Sequence, residues 1–218
     1  PSGPVCLMSP SLHHQEHDKI LIWPDEIENP DLYINLPDIF DNLGQAHEML
    51  LYDEAGIASV YSRVRGTGII SANFVLEFDL IPPEGFPQRV PQITSAFVSD
   101  DFRGLKIAQM VYRLLMAHYG AIMSDSVQTQ GGILIWLLMA QDDQILLNIM
   151  ETAGNRLRCR VKNGMAEEYC GEPDALEAAA PTIWGGASEA HELFDPEVLG
   201  FKPAYRAFDN IILTARPV

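Results

Sequence analysis

Between Gln92 and Trp136 the spacing of apolar positions changes period twice. Gln92 to Val98 is a β-branched and apolar run, and the turn formers Ser99, Asp100 and Asp101 close it, which predicts a strand. After Arg103 and Gly104 the apolar residues Ile107, Met110, Val111, Leu114 and Leu115 recur at steps of three and four. That spacing predicts a helix with one face in the core, and Gly120 is placed to stop it. Ala121 to Met123 predicts a short strand ended by Ser124 and Asp125. Gly131 and Gly132 then precede a second apolar helix, Ile133 to Met139.

Upstream, Lys19 to Trp23 predicts a strand ended by Pro24, and Asp31 to Leu36 a further extended piece. Pro37 to Leu50 predicts a helix, with Asp38 or Asp41 as its cap and Ile39, Phe40, Leu43 and Met49 facing inward. Met49 to Tyr52 and Ile57 to Val64 predict strands around the turn Glu54-Ala55-Gly56. Arg65 to Gly68 is a second turn, Ile69 to Leu80 a long strand, and the prolines from Pro82 to Pro87 a loop.

Downstream, Gln144 to Met150 predicts a strand and Thr152 to Asn155 a turn. Arg158, Arg160 and Lys162 alternate with Leu157, Cys159 and Val161, the pattern of an edge strand with a solvated basic face. No Lys or Arg lies between Lys162 and Lys202. The acidic stretch from Asn163 to Val198 carries Tyr169, Trp184 and Phe194, and reads either as a surface excursion or as a lid or partner surface. Phe208 to Ala215 predicts a closing strand. The order of elements predicts an α/β (α+β) protein with a mixed, mostly antiparallel central sheet flanked by helices. One domain would run over 19–218, with an acidic insertion at 163–198, after a flexible arm over 1–18.

The chain has 218 residues, 47% of them hydrophobic, enough for a substantial core. A net charge of −16 argues against binding nucleic acid, where Lys and Arg must meet phosphates. No apolar run approaches the length of a membrane span, and no basic-then-apolar secretory signal opens the chain. Cys6, Cys159 and Cys170 lack metal-site spacing and predict free thiols in a reducing, cytoplasmic compartment. His13, His14, Glu16 and His17 contain metal-ligand types without fixed geometry and read as a solvated tract, so no metal is expected.

A strand that feeds a helix through a Gly-containing loop can bind a phosphate, because first-turn N–H groups point outward and the helix dipole favours an anion. Arg103 and Lys106 stand at that start. They serve either an anion or as solvated partners of Asp100 and Asp101.

The run Phe97-Val98-Ser99-Asp100-Asp101-Phe102-Arg103-Gly104-Leu105-Lys106-Ile107-Ala108, followed by Val111-Tyr112, resembles the acyl-CoA-binding motif of the GNAT N-acyltransferases. That motif is Arg or Gln, two residues, Gly, one residue, then Gly or Ala, between the fourth strand and the third helix. Ser124-Asp125, Gln128-Thr129, Gly131-Gly132 and Trp136 resemble GNAT-like proteins of tailed bacteriophages. The likeness covers about the central third of the chain, and strand order extends it from about Tyr33 onward. It implies a GNAT-like fold and acetyl-CoA as acyl donor, held by Phe97, Val98, Ser99, Arg103, Gly104, Leu105, Lys106, Ile107 and Ala108. It implies transfer to an unidentified amine, small molecule or protein, in a host bacterial cytoplasm, with no nucleic acid or membrane partner. Family members carry a Glu on the fourth strand, which Gln92 to Val98 lacks. Asp125, Ser124 and Glu77 are the candidate catalytic groups, with Asp125 foremost. Lys106 stands where the family has Gly, and Trp136 where it often has a Tyr acid. A GNAT-fold protein that binds a host protein, and a structural virion component, are the alternative readings.

Overall fold

The computed structural model describes residues 11–13, 27, 29–125, 127–129, 132, 135, 136, 138, 139, 142–162, 165–168 and 211–218. The Lys19–Trp23 strand, three of the four residues of the histidine tract, and all of the acidic stretch beyond Glu168 lie outside the described residues, as do Cys6 and Cys170. The protein is α+β. It forms two compact units: one comprises Pro1–Asp18, Pro82–Phe86 and Met123–Val218, the other Lys19–Ile81 and Pro87–Ile122.

The second of these units is an antiparallel meander. It starts at β2 (Ile34–Phe40) and passes through β3 (Ala46–Asp53), β4 (Ile57–Val64) and β5 (Ile70–Glu77) to β6 (Gln92–Val98), each strand paired with the next. Sequence period two drives it: on β4, Ala58, Val60, Ser62 and Val64 are buried while the residues between them are less so. Leu51, Val60, Phe74 and Leu76 are fully buried. Each removes roughly 1.5–3 kcal/mol worth of apolar side chain from water.

The 37–50 helix expected from the sequence is not formed. Pro37 to Phe40 lie in β2, Asp41 to Gln45 form a tight turn, and β3 begins at Ala46. The Asp41 carboxylate accepts the N–H groups of Leu43 and Gln45 at 2.9 Å each, and Gly44 takes φ +82°. An Asp side chain closing a turn onto its own backbone competes directly with helix. A register shift between Leu36 and Ile39 breaks the strand's alternation, so the apolar residues fall at apparently helical intervals.

Helix α1 (Ile107–Tyr119) buries Ile107, Val111, Tyr112, Leu115 and Met116, and Tyr112 packs edge-on to Phe74 at 6.2 Å. At its end Gly120 adopts φ +81°, and its N–H bonds the Met116 carbonyl at 2.8 Å. Asp53 ties the outer end of this unit together. Arg89 donates to both its carboxylate oxygens at 2.5 and 2.7 Å, and the Tyr119 hydroxyl donates to it at 3.1 Å. The guanidinium also lies 3.8 Å from the centre of the Phe78 ring.

The other unit is built on the strand order β11-β10-β9-β12-β7. These are β7 (Ile122–Ser124), β9 (Ile145–Glu151), β10 (Arg156–Lys162), β11 (Met165–Glu168) and β12 (Ile211–Pro217). Two short strands, β1 (Ser11–His13) and β8 (Val127–Thr129), pair in parallel. Gly132, Ile135, Trp136, Leu138 and Met139 are helical, and Trp136 is buried, as a Trp on an apolar helix is expected to be. The basic strand Arg156–Lys162 is not an edge. It lies between β9 and β11, and Met165–Glu168 supplies the pairing that the sequence pattern did not reveal.

A Cβ added at Gly120 would lie 2.9 Å from Pro87 Cγ, on top of the left-handed backbone. Gly120→Ala is therefore expected to lower unfolding stability by about 1–3 kcal/mol, read by urea denaturation. An unchanged midpoint would show that the α1 C-terminus is not held as described.

Candidate functional site

The strand–loop–helix start is formed wholly inside one unit. After β6, Asp100–Phe102 make one 3-10 turn, and the chain reaches α1 through Arg103, Gly104, Leu105 and Lys106. Gly104 has φ +79° with open space around it, so it is required for backbone conformation and not for close packing. Lys106 occupies the N-cap position of α1 at φ 64°, ψ 14°, a left-handed conformation that glycine adopts freely and lysine does not. The loop thus holds a glycine-like backbone at Lys106. No side chain caps α1. Ile107, Ala108 and Gln109 therefore present first-turn N–H groups without a helical acceptor. A helix start of this kind favours an anion through its N–H groups and its dipole.

Arg103 is largely exposed beside this helix start. Its Nη2 is 3.1 Å from Asp100 Oδ1, its Nε donates to the Val98 carbonyl at 3.4 Å, and its Cζ lies 6.0 Å from the Phe97 ring centre. The expected pairing with the acidic turn is present at Asp100, on a side chain still accessible to an incoming anion. Leu105 is half-buried, and its carbonyl accepts the Asn42 N–H at 3.2 Å. Of the segment Phe97–Ser99, the Ser99 N–H is engaged by the Ser71 carbonyl at 2.9 Å.

Beneath the loop lies a buried polar chain that no motif announced. His47 Nδ1 is 2.8 Å from Ser71 Oγ, and its Nε2 is 3.3 Å from Asp41 Oδ2. Ser71 Oγ contacts Ser62 Oγ at 2.8 Å and the Ser62 carbonyl at 3.1 Å. His47, Ser62 and Ser71 are fully buried, and Phe102 meets the His47 ring edge-on at 5.8 Å. Burial pushes the Asp41 carboxyl up, but hydrogen bonds from Gln45, His47 and Leu43 outweigh it and hold the group below the usual carboxylate range. Only the Asp-Asn-x-Gly turn signal at Asp41 to Gly44 could have pointed here from sequence, because Ser62 and Ser71 join through strand register.

Glu77 ends β5, opposite Gln92 of β6 and Ile57 of β4, and accepts the Thr94 hydroxyl at 3.2 Å. It belongs to the same unit as the loop, whereas Ser124 and Asp125 belong to the other. Ser124 is buried; its Oγ donates to the Asp125 carbonyl at 3.1 Å and accepts the Leu213 N–H at 2.9 Å. Asp125 is half-buried. Tyr112 is a core residue. Burial and the Asp53 charge push the Tyr119 phenol well above its usual pKa and keep it protonated. Among the described residues no cluster of metal-ligand side chains occurs, and no helix is long and apolar enough to cross a membrane.

Two outcomes follow from this geometry. Lys106→Gly removes left-handed strain of roughly 1–2 kcal/mol, partly offset by glycine's greater freedom in the unfolded chain. The variant should melt slightly higher than the parent, and a lower melting temperature would contradict the assigned backbone. Asp41 and Asp53 both have lowered pKa values, Asp53 chiefly through the Arg89 hydrogen bond. Their contribution to stability is therefore complete above the unfolded carboxyl value of about 3.9 and is lost as pH falls through the folded values. Urea midpoints measured down the acid range should drop, and drop less steeply in Asp53→Asn.

No protein-family model, no curated protein and no solved structure matches the chain.

Proposed function

We propose that the protein is an acetyl-CoA-dependent N-acyltransferase of GNAT type acting on an amine. The observation that carries the reading is the loop Arg103–Ala108. A motif that matches the family's spacing except at Lys106 takes up, at Lys106 itself, the left-handed backbone that a glycine would supply. The chain order also supports it: an antiparallel meander leads into strand, helix and strand, followed by the helical residues around Trp136.

The residues present fit the cofactor. The first-turn N–H groups of Ile107, Ala108 and Gln109 would hold its pyrophosphate, with Arg103 adding a charge-assisted bond. The acyl donor supplies a thioester carbonyl whose carbon is attacked by the amine, with cleavage of the C–S bond. A backbone N–H on β6 would steady the developing oxyanion. The Ser99 N–H is engaged by the Ser71 carbonyl, so Ser99 does not take this role. The amine must lose a proton, and Glu77, half-buried in the same unit as the loop, is the carboxylate that would take it.

A second reading, a GNAT-type protein that binds a host partner without turnover, draws on Trp136. A buried indole stands where the family often places its Tyr acid, and indole N–H does not protonate a thiolate.

Calorimetric titration with acetyl-CoA tests the proposal. Saturable binding is expected, weakened by roughly tenfold in Arg103→Ala. Absence of heat with the parent protein would overturn the cofactor assignment. Binding without acetyl transfer to any amine in a panel would favour the second reading.

A further inference from the structure

Both ends of the 99–106 loop are fastened to residues that belong to, or directly follow, one buried chain of side chains. At the first end, the Ser99 N–H donates to the carbonyl of Ser71. At the second, Asn42 donates its N–H to the Leu105 carbonyl at 3.2 Å and its side-chain amide to the Gly104 carbonyl at 3.4 Å. Asn42 sits in the turn that the Asp41 carboxylate closes. Ser71 and Asp41 are joined through the two nitrogens of His47, and Phe102, between the two fastened ends, rests on the same ring. The loop therefore meets Ser71, the His47 ring, and the turn that Asp41 closes.

The protons decide how this chain runs. Asp41 can only accept, so the proton between it and His47 is carried on Nε2. The Ser71 hydroxyl, 2.8 Å from Nδ1, also reaches the Ser62 carbonyl and Oγ, to which it is placed to donate. Each buried polar atom of His47 has one partner, and rotating the ring would take both buried nitrogens away from theirs. The ring is fixed by this pairing, and it fixes the spacing between Asp41 on one side and Ser71 on the other.

We infer that His47 is a positioning residue for the helix-start loop, setting the aim of its N–H groups through Asp41 and Asn42 at one end and Ser71 at the other. The inference rests on the reading of that loop as the phosphate site. Ser71 is not thereby a nucleophile: it is fully buried, and its hydroxyl is engaged by His47 and Ser62.

The test is amide hydrogen exchange on the full chain, comparing the parent with His47→Phe, which keeps a ring against Phe102. Ser71→Ala serves as the milder second variant. Exchange at Asn42 and at Ser99, 57 residues apart in sequence, should accelerate together by about tenfold or more, the scale of losing a buried hydrogen bond to a charged group. Acetyl-CoA affinity should fall by a similar factor, and the His47 ring nitrogens of the parent should shift on titration with inorganic pyrophosphate. Acceleration confined to the turn from Asp41 to Gln45 would overturn the inference, as would a loosened loop with unchanged affinity. If the parent binds no acetyl-CoA while both ends loosen together in the variants, the phosphate reading falls and the fastening of the loop by His47 stands.

Discussion

An α-helix that begins without a capping side chain leaves donors facing outward, and α1 begins in this way. Lys106 cannot cap it, and its left-handed backbone turns the chain into the helix so that the first-turn amides stay open. Such a conformation persists only when its surroundings over-determine it. Here the surroundings are the β2–β3 turn and the β4–β5 strands, which grip the loop from below. The meander thus supplies more than a core: its register delivers Ser62 from the next strand and Ser71 from the one beyond it to His47.

The contrast between the two polar clusters of this unit is instructive. The Asp53, Arg89 and Tyr119 group lies near the surface, where water competes and each bond contributes modestly. The Asp41, His47 and Ser71 group is buried, so each atom left without a partner carries the full desolvation penalty. The first restrains the chain end of α1 and the second its start. A helix of 13 residues is consequently held by polar contacts near both termini while its middle packs through Val111, Tyr112 and Leu115.

What the sequence made legible follows from how local the signals are. β6 was readable because its run is uninterrupted, and α1 because its apolar spacing is regular and one glycine ends it. The segment from Pro37 to Leu50 misled because a bulged strand, an Asx turn and the start of another strand together imitate a helical period. Strand β10 was readable as a strand but not as an interior one, since its second neighbour, Met165–Glu168, is short and polar. The loop's chemistry was visible in Arg103 and Gly104, but the grip on it was not, because His47 and Ser71 stand 24 residues apart and meet only through sheet register.

Pro82–Phe86 belongs with Met123–Val218 although the chain on both sides of it belongs elsewhere. Its partners include Arg216, whose guanidinium lies 4.8 Å from the Phe86 ring centre and 3.5 Å from the Gly85 carbonyl. On a ribosome these five residues emerge with the strands around them, yet the arginine that receives them is made about 130 residues later. Through most of its synthesis the nascent protein must therefore carry a proline-rich segment whose own unit does not yet exist. The prolines suit that interval, since they keep the waiting segment stiff and deny it the N–H groups with which a neighbouring strand could capture it.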